Sequence, residues 1–146
     1  VNDSAVRWGG GVAAQAARDY PAAQSAFETW MKAVPRAERL GKAHFHEVQP
    51  GRTLGSLVAQ EGIGKSDIPR LRYAALSQAL HSIAERAIQT GASVHMPKLG
   101  TGAAGGSWPL IEELVIEEFI RRDISVLVYE PAPRPRRNPS QADLFS

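Results

Sequence analysis

The chain has 146 residues, no cysteine, 43% hydrophobic and 22% charged residues, and a formal net charge of +2. That length fits one globular domain with its own core, disulfides and thiolate metal centres are excluded, and no apolar run reaches the roughly 18 residues that span a bilayer. The charge excess lies at one end: residues 1–130 hold 14 Lys/Arg and 14 Asp/Glu, and the surplus comes from Arg134, Arg136 and Arg137, so the folded part has no net field for a nucleic-acid backbone.

A soluble, cytoplasmic protein with no membrane partner is the expectation. The opening residues, Val1 to Ala13, read as the end of a strand entering a glycine turn, so a preceding strand is expected to be absent from this chain. After Gly9-Gly10-Gly11 an alanine-rich helix is predicted over 12–18, and Pro21 opens a second helix through Val34 with Phe27, Trp30 and Met31 on one face. Residues 43–48 alternate as a half-buried strand, with Phe45 on one face and His44 and His46 on the other. A His-x-His pair suits a metal, but no third ligand lies nearby in sequence, which favours two ordinary strand histidines. Residues 54–60 are a second strand candidate.

Ile68-Pro69 is expected to open a long helix carrying Leu76, Leu80, Ile83 and Ala87 and ending at Gly91 as a C-cap. A strand over 92–96, a glycine loop, a helix over 109–122 and an apolar strand over 124–129 follow. That succession argues a buried, partly parallel sheet. On the last helix Glu112, Glu113, Glu117 and Glu118 are expected to face water. Residues 131–146 carry four of the ten prolines and read as a disordered or extended tail.

Four glycines within residues 100–106 mark a place where the main chain turns sharply or is approached closely. Gly100 to Gly105 matches G-x-G-x-x-G, the dinucleotide fingerprint. Ser107 as N-cap and Pro109 as an early helical residue start the helix after the glycines, however, whereas the fingerprint needs its third glycine inside the helix. Ala59 to Ser66, "AQEGIGKS", is one glycine short of a P-loop, and Pro69 stands where the P-loop helix would be running. A third reading uses two loops together: "WGGGVA" and "LGTGAAGGSW" both lead into helices, so backbone N–H groups from both would converge on one diphosphate.

With "NDS" before "WGGGVA", "LVAQ" closing an inner strand, and "ASVHMPKLGTGAAGGSW" before "SVLVYEP", residues 1–130 resemble the macrodomain family, and look nearest to the macrodomain of the chromatin remodeller "amplified in liver cancer". The resemblance implies an α/β three-layer sandwich, a mixed central sheet flanked by helices and lacking its N-terminal strand or strands. It implies ADP-ribose as ligand, free or carried on protein or nucleic acid, and no cofactor or metal. By the same resemblance, Trp8, Gly9, Gly10, Gly11 and Val12 and, in the second loop, Pro97, Leu99, Gly100, Thr101, Gly102, Ala103, Ala104, Gly105 and Gly106 clasp the diphosphate and distal ribose. Asn2, Asp3, Ser4 and Gln60 lie at the ribose end, and Trp108 borders the loop.

Macrodomain hydrolases of the common type carry an aspartate after the first loop, where this chain has Ala13 and Ala14. Relatives using a lysine and an aspartate would place them near Gln60 and near Ala104, and neither residue is present there. Glutamine forms no Schiff base and alanine is no general base, so a binding module is the expectation, with an ADP-ribosyl hydrolase as alternative and Lys98, His95 or Asp3 as substitutes. Gln141, Asp143, Leu144 and Phe145 in "QADLF" resemble the peptide that docks on bacterial sliding clamps, which gives a further expectation of a clamp-tethered repair accessory.

Overall fold

The computed structural model describes residues 1–4 and 6–130; the tail, with the clamp-like peptide Gln141–Phe145, lies outside the described residues. Helix α1 (Gly11–Asp19) and helix α2 (Pro21–Ala33) are separated at Tyr20, which has φ −135° and ψ 67°. Pro21 has no amide to lose at the first helical position. Strands β1 (Ala43–Gln49) and β2 (Arg52–Leu57) form an antiparallel pair, followed by α3 (Tyr73–Thr90), β3 (Val94–Pro97), α4 (Trp108–Glu118) and β4 (Val126–Tyr129). Strands β3 and β4 are parallel, Val94 opposite Val126 and Pro97 opposite Tyr129.

The period-two alternation of β1 and β2 assigns each face to a helical layer. Leu54, Val48 and Val58 pack with Ala23, Phe27 and Met31 of α2 and with Trp8. On the same face His44 lies against Phe27 and Trp30, with ring centroids 5.9 and 5.5 Å away. Burial, with the neighbouring His46 second, holds the His44 imidazole below the usual histidine range. On the opposite face Phe45 lies under the Arg86 guanidinium, and a Cβ on Gly55 would stand 2.5 Å from Ile83 of α3. Helices α3 and α4 bury Leu76, Leu80, Ile111 and Val115 against Met96 and Ala59. Each large side chain buried in this way contributes roughly 1.5–3 kcal/mol, so helices stabilise both faces of the strand layer, as the three-layer expectation requires.

The strands form two pieces, β1–β2 and β3–β4, with no ladder between them among the described residues. Residues 70–72 tie their ends: the Arg70 and Leu71 amides donate to the Ala104 carbonyl at 3.0 and 3.1 Å, and the Arg72 amide donates to Ala59 at 2.8 Å. This corrects the expected start of α3 at Ile68-Pro69. Because those amides are engaged across the fold, they are withheld from a helical turn, and the helix begins at Tyr73. Its C-cap, Gly91 with φ 65°, is where the sequence places it.

A second correction concerns Glu118, expected on the solvated face. It is buried, and its carboxylate lies 3.1 Å from both His81 Nδ1 and an Arg122 nitrogen. The helix ends at this residue and a short 3-10 turn (Ile120–Arg122) follows, which swings Arg122 back over it. Among the described residues no helix is long and apolar enough to cross a membrane.

Candidate functional site

The first segment runs parallel to the end of β2. The Val1 nitrogen donates to Leu57 O at 2.7 Å, the Asp3 amide donates to Gln60 O at 2.9 Å, and Asn2 and Gln60 form a bridge. Asn2 Oδ1 accepts from the Ser4 amide at 2.9 Å. Trp8 then turns inward beside Phe27, and its Nε1 finds no acceptor among the described residues. Gly9 and Gly10 are exposed, and α1 starts at Gly11 with no side chain capping its first amides.

The second loop is folded on itself. The Gly106 amide donates to Gly100 O at 2.7 Å, the Gly105 amide to Gly102 O at 3.0 Å, and Thr101 Oγ1 to Lys98 O at 2.9 Å. Gly100 has φ +76°, and its Cβ would lie 3.1 Å from Ile111 and 3.2 Å from Leu71; a Cβ on Gly106 would lie 2.5 Å from the Gly100 carbonyl. These two glycines are demanded by the chain itself. Gly9, Gly10 and Gly102 are different: none has a positive φ, and a Cβ on any of them would meet nothing within 4 Å. Neither local conformation nor internal packing calls for glycine there.

A cleft of about 880 Å³ is lined by Gln60, Lys65, Asp67, Arg70, Ala103 and Gly105, among others. One wall comes from the loop 61–67, whose residues 64–67 line the cleft; the loop is wrapped on Arg70, whose guanidinium donates to the carbonyls of Glu61, Gly64 and Lys65 at 3.2, 3.0 and 3.1 Å. In "GIGKS", therefore, carbonyls converge on a cation. A P-loop turns its amides inward on an anion, so the phosphate-loop resemblance of this segment fails on geometry. The dinucleotide resemblance fails as the sequence indicates, because α4 starts at Trp108, beyond Gly105. Ser107 is its N-cap by position, but the hydroxyl makes no cap hydrogen bond.

Gln60, Ala103 and Gly105 thus meet in one cleft, with Asn2 beside Gln60. Trp108 and Lys98 line a second cleft of about 360 Å³ against β4, which shares no residue with the first. There Lys98 forms an ion pair with Glu130 and lies over the Trp108 ring. Lys98 holds the Glu130 carboxyl below its ordinary range. Asp3 is buried, with Oδ1 accepting from the Gly62 amide at 2.7 Å and Ser4 Oγ at 2.9 Å, and Oδ2 facing Arg36 at 3.3 Å. Burial alone would raise its pKa, but these partners outweigh it and hold the carboxyl below the usual value. Sequence reading missed Lys65, Asp67 and Arg70 as lining residues, because Lys65 stands in a rejected P-loop match and Arg70 inside the helix expected from Ile68-Pro69.

No protein-family model matches the chain. A protein of unknown function from Bacteroides thetaiotaomicron shares 34% identity at TM-score 0.82, over 90% of this chain and 83% of that one. A macrodomain protein from Streptomyces coelicolor shares 32% identity at TM-score 0.76, over 90% of this chain and 84% of that one. The chain belongs to the macrodomain family. A structure of Thermosipho africanus DarTG in complex with ADP-ribose is 19% identical at TM-score 0.68, over 92% of this macrodomain and 38% of that chain, a likeness of fold. Chromodomain-helicase-DNA-binding protein 1-like of Danio rerio is 32% identical over 76 residues, and the match spans 52% of this macrodomain but only 7% of that relative.

Proposed function

We propose that this macrodomain binds ADP-ribose, free or attached to a macromolecule, as a reader with little or no hydrolase activity. One observation carries the reading: Gly9, Gly10 and Gly102 are glycines in ordinary backbone conformations facing open space, and close approach of a ligand to the main chain is what such positions serve. The uncapped first turn of α1 adds unpaired amides and a favourable dipole for a diphosphate. The DarTG neighbour, whose structure holds ADP-ribose, supports the ligand's identity. For the absence of hydrolysis the support is chemical. Gln60 donates its amide to Gly62 O at 3.1 Å, and Ala104 brings no carboxylate, so neither supplies a nucleophile or a base.

Calorimetric titration of ADP-ribose into the protein, beside Gly10→Glu, tests the reading. Micromolar binding that is lost in a variant of unchanged melting temperature is the expected result. No binding by the folded wild-type chain would sink it, and steady release of ADP-ribose from a modified substrate would replace the reader with a hydrolase.

A further inference from the structure

We propose that Asp3 is a positioning residue: its buried carboxylate holds in place the 61–67 loop, whose residues 64–67 line the cleft, and does not itself touch the ligand. The inference rests on the ADP-ribose reading for its functional consequence only.

Asp3 is 4% exposed. A carboxylate buried to that degree is tolerated only when its oxygens are matched by donors. Here the donors come from separate parts of the chain. The Gly62 amide belongs to the loop that continues into the cleft wall at Gly64 and the Ser4 hydroxyl to the entering segment, while the Arg36 guanidinium reaches over from the 3-10 turn Arg36–Glu38 after α2. Arg39 fixes the same point through the main chain. Its guanidinium donates to the Asp3 carbonyl at 2.9 Å and to the Met31 and Val34 carbonyls at the end of α2 at 2.6 and 2.9 Å.

Asp3 therefore fastens the wall loop to α2 and to the first segment from one side, while Arg70 fills the loop from the other. With both oxygens engaged and a side chain only 6% exposed, the carboxylate presents no free face to a ligand. Gly62 and Gly64 sit at φ +72° and +85° in that loop; its first residues are also held by Arg72, 2.7 Å from the Glu61 carboxylate, and by Gln60, which donates to Gly62 O at 3.1 Å, whereas Asp3 reaches it from the entering segment. Lys65 stands exposed within the loop.

Limited trypsin digestion combined with ADP-ribose titration tests the assignment. In Asp3→Ala, cleavage after Lys65 should accelerate about tenfold while cleavage after Arg86, within α3, stays at the wild-type rate, because proteolysis follows the population of the locally opened form. ADP-ribose affinity should fall with it. Asp3→Asn, whose amide oxygen still accepts from Gly62 and Ser4, should recover most of the protection after Lys65 and most of the affinity. Weakened binding with unchanged cleavage after Lys65 would overturn the proposal and make Asp3 a direct ligand contact. Equal acceleration after Lys65 and Arg86 in both variants would overturn it in favour of a general stability role. Should the wild-type chain bind no ADP-ribose, the cleavage pattern still decides the positioning role, and the ligand reading alone fails.

Discussion

The two glycine loops look alike in sequence and differ in what their glycines do. In the second loop Gly100 and Gly106 are walled in: one holds a left-handed φ beside Ile111 and Leu71, and the other touches the Gly100 carbonyl. In the first loop Gly9 and Gly10 have nothing around them. A glycine-rich motif therefore mixes two unrelated demands, one made by the fold and one by whatever comes to the surface. Gly102 shows that both occur within a single loop, since it faces open space between crowded neighbours.

This contrast is tested most severely by Gly106→Val. A side chain driven against the Gly100 carbonyl and Leu71 should cost about 3 kcal/mol of stability and lower the melting temperature by roughly 10 °C, measured by thermal melting without ligand; an unchanged melt would mean the second loop is as open as the first. Gly10→Glu should do the reverse. Its stability change should stay within about 0.5 kcal/mol, while ADP-ribose affinity falls about a hundredfold as a carboxylate meets the diphosphate; titration and melting on one sample separate the two. Gly102→Ala is milder: about a tenfold loss of affinity at constant melting temperature would place Gly102 with Gly9 and Gly10, whereas a lower melt would place it with Gly106.

The smallest effect lies away from both loops, at His44. Its folded pKa is lowered from 6.5 by burial and then by His46, so the unfolded chain takes up the proton first as pH falls. Its contribution is complete above that value and is lost as the solution is acidified below it. Replacement by phenylalanine should flatten the decline of melting temperature between neutral pH and pH 5.

How much of this was legible in the sequence follows from where each signal resides. The apolar stripe of α3, its Gly91 cap and the alternation of β1 are local, and local patterns survive into the fold because propensity and burial agree there. The start of α3 was not legible. Pro69 is a fair helix opener by itself, yet the amides of residues 70–72 bond to Ala104 and Ala59, far away in sequence. Glu118 was misplaced for a similar reason, since only the packing of α4 on α3 brings His81 against it.

For the candidate site, the sequence singled out the glycine loops and Gln60, of which Gln60, Ala103 and Gly105 line one cleft. The sorting of the glycines into crowded and open ones depends on Leu71, Ile111 and Pro69, which no motif connects to them. Asp3 offered no sequence sign of its four-way attachment, because a lone acidic residue near a glycine loop reads as a ligand contact wherever its partners are unknown.

The cation that gathers the carbonyls of residues 61–65 has an evolutionary consequence. Arg70 serves three carbonyls with a planar fork that lysine, a single point charge, cannot reproduce, while the Gly62 amide on the same loop is turned outward to Asp3. A lineage that loses the arginine loses the template on which that amide is aimed, and the acid at position 3 is then a buried charge with fewer donors. Positions 3 and 70 should consequently be inherited as a pair, retained together in some descendants and replaced together in others, even though only the arginine lines the cleft.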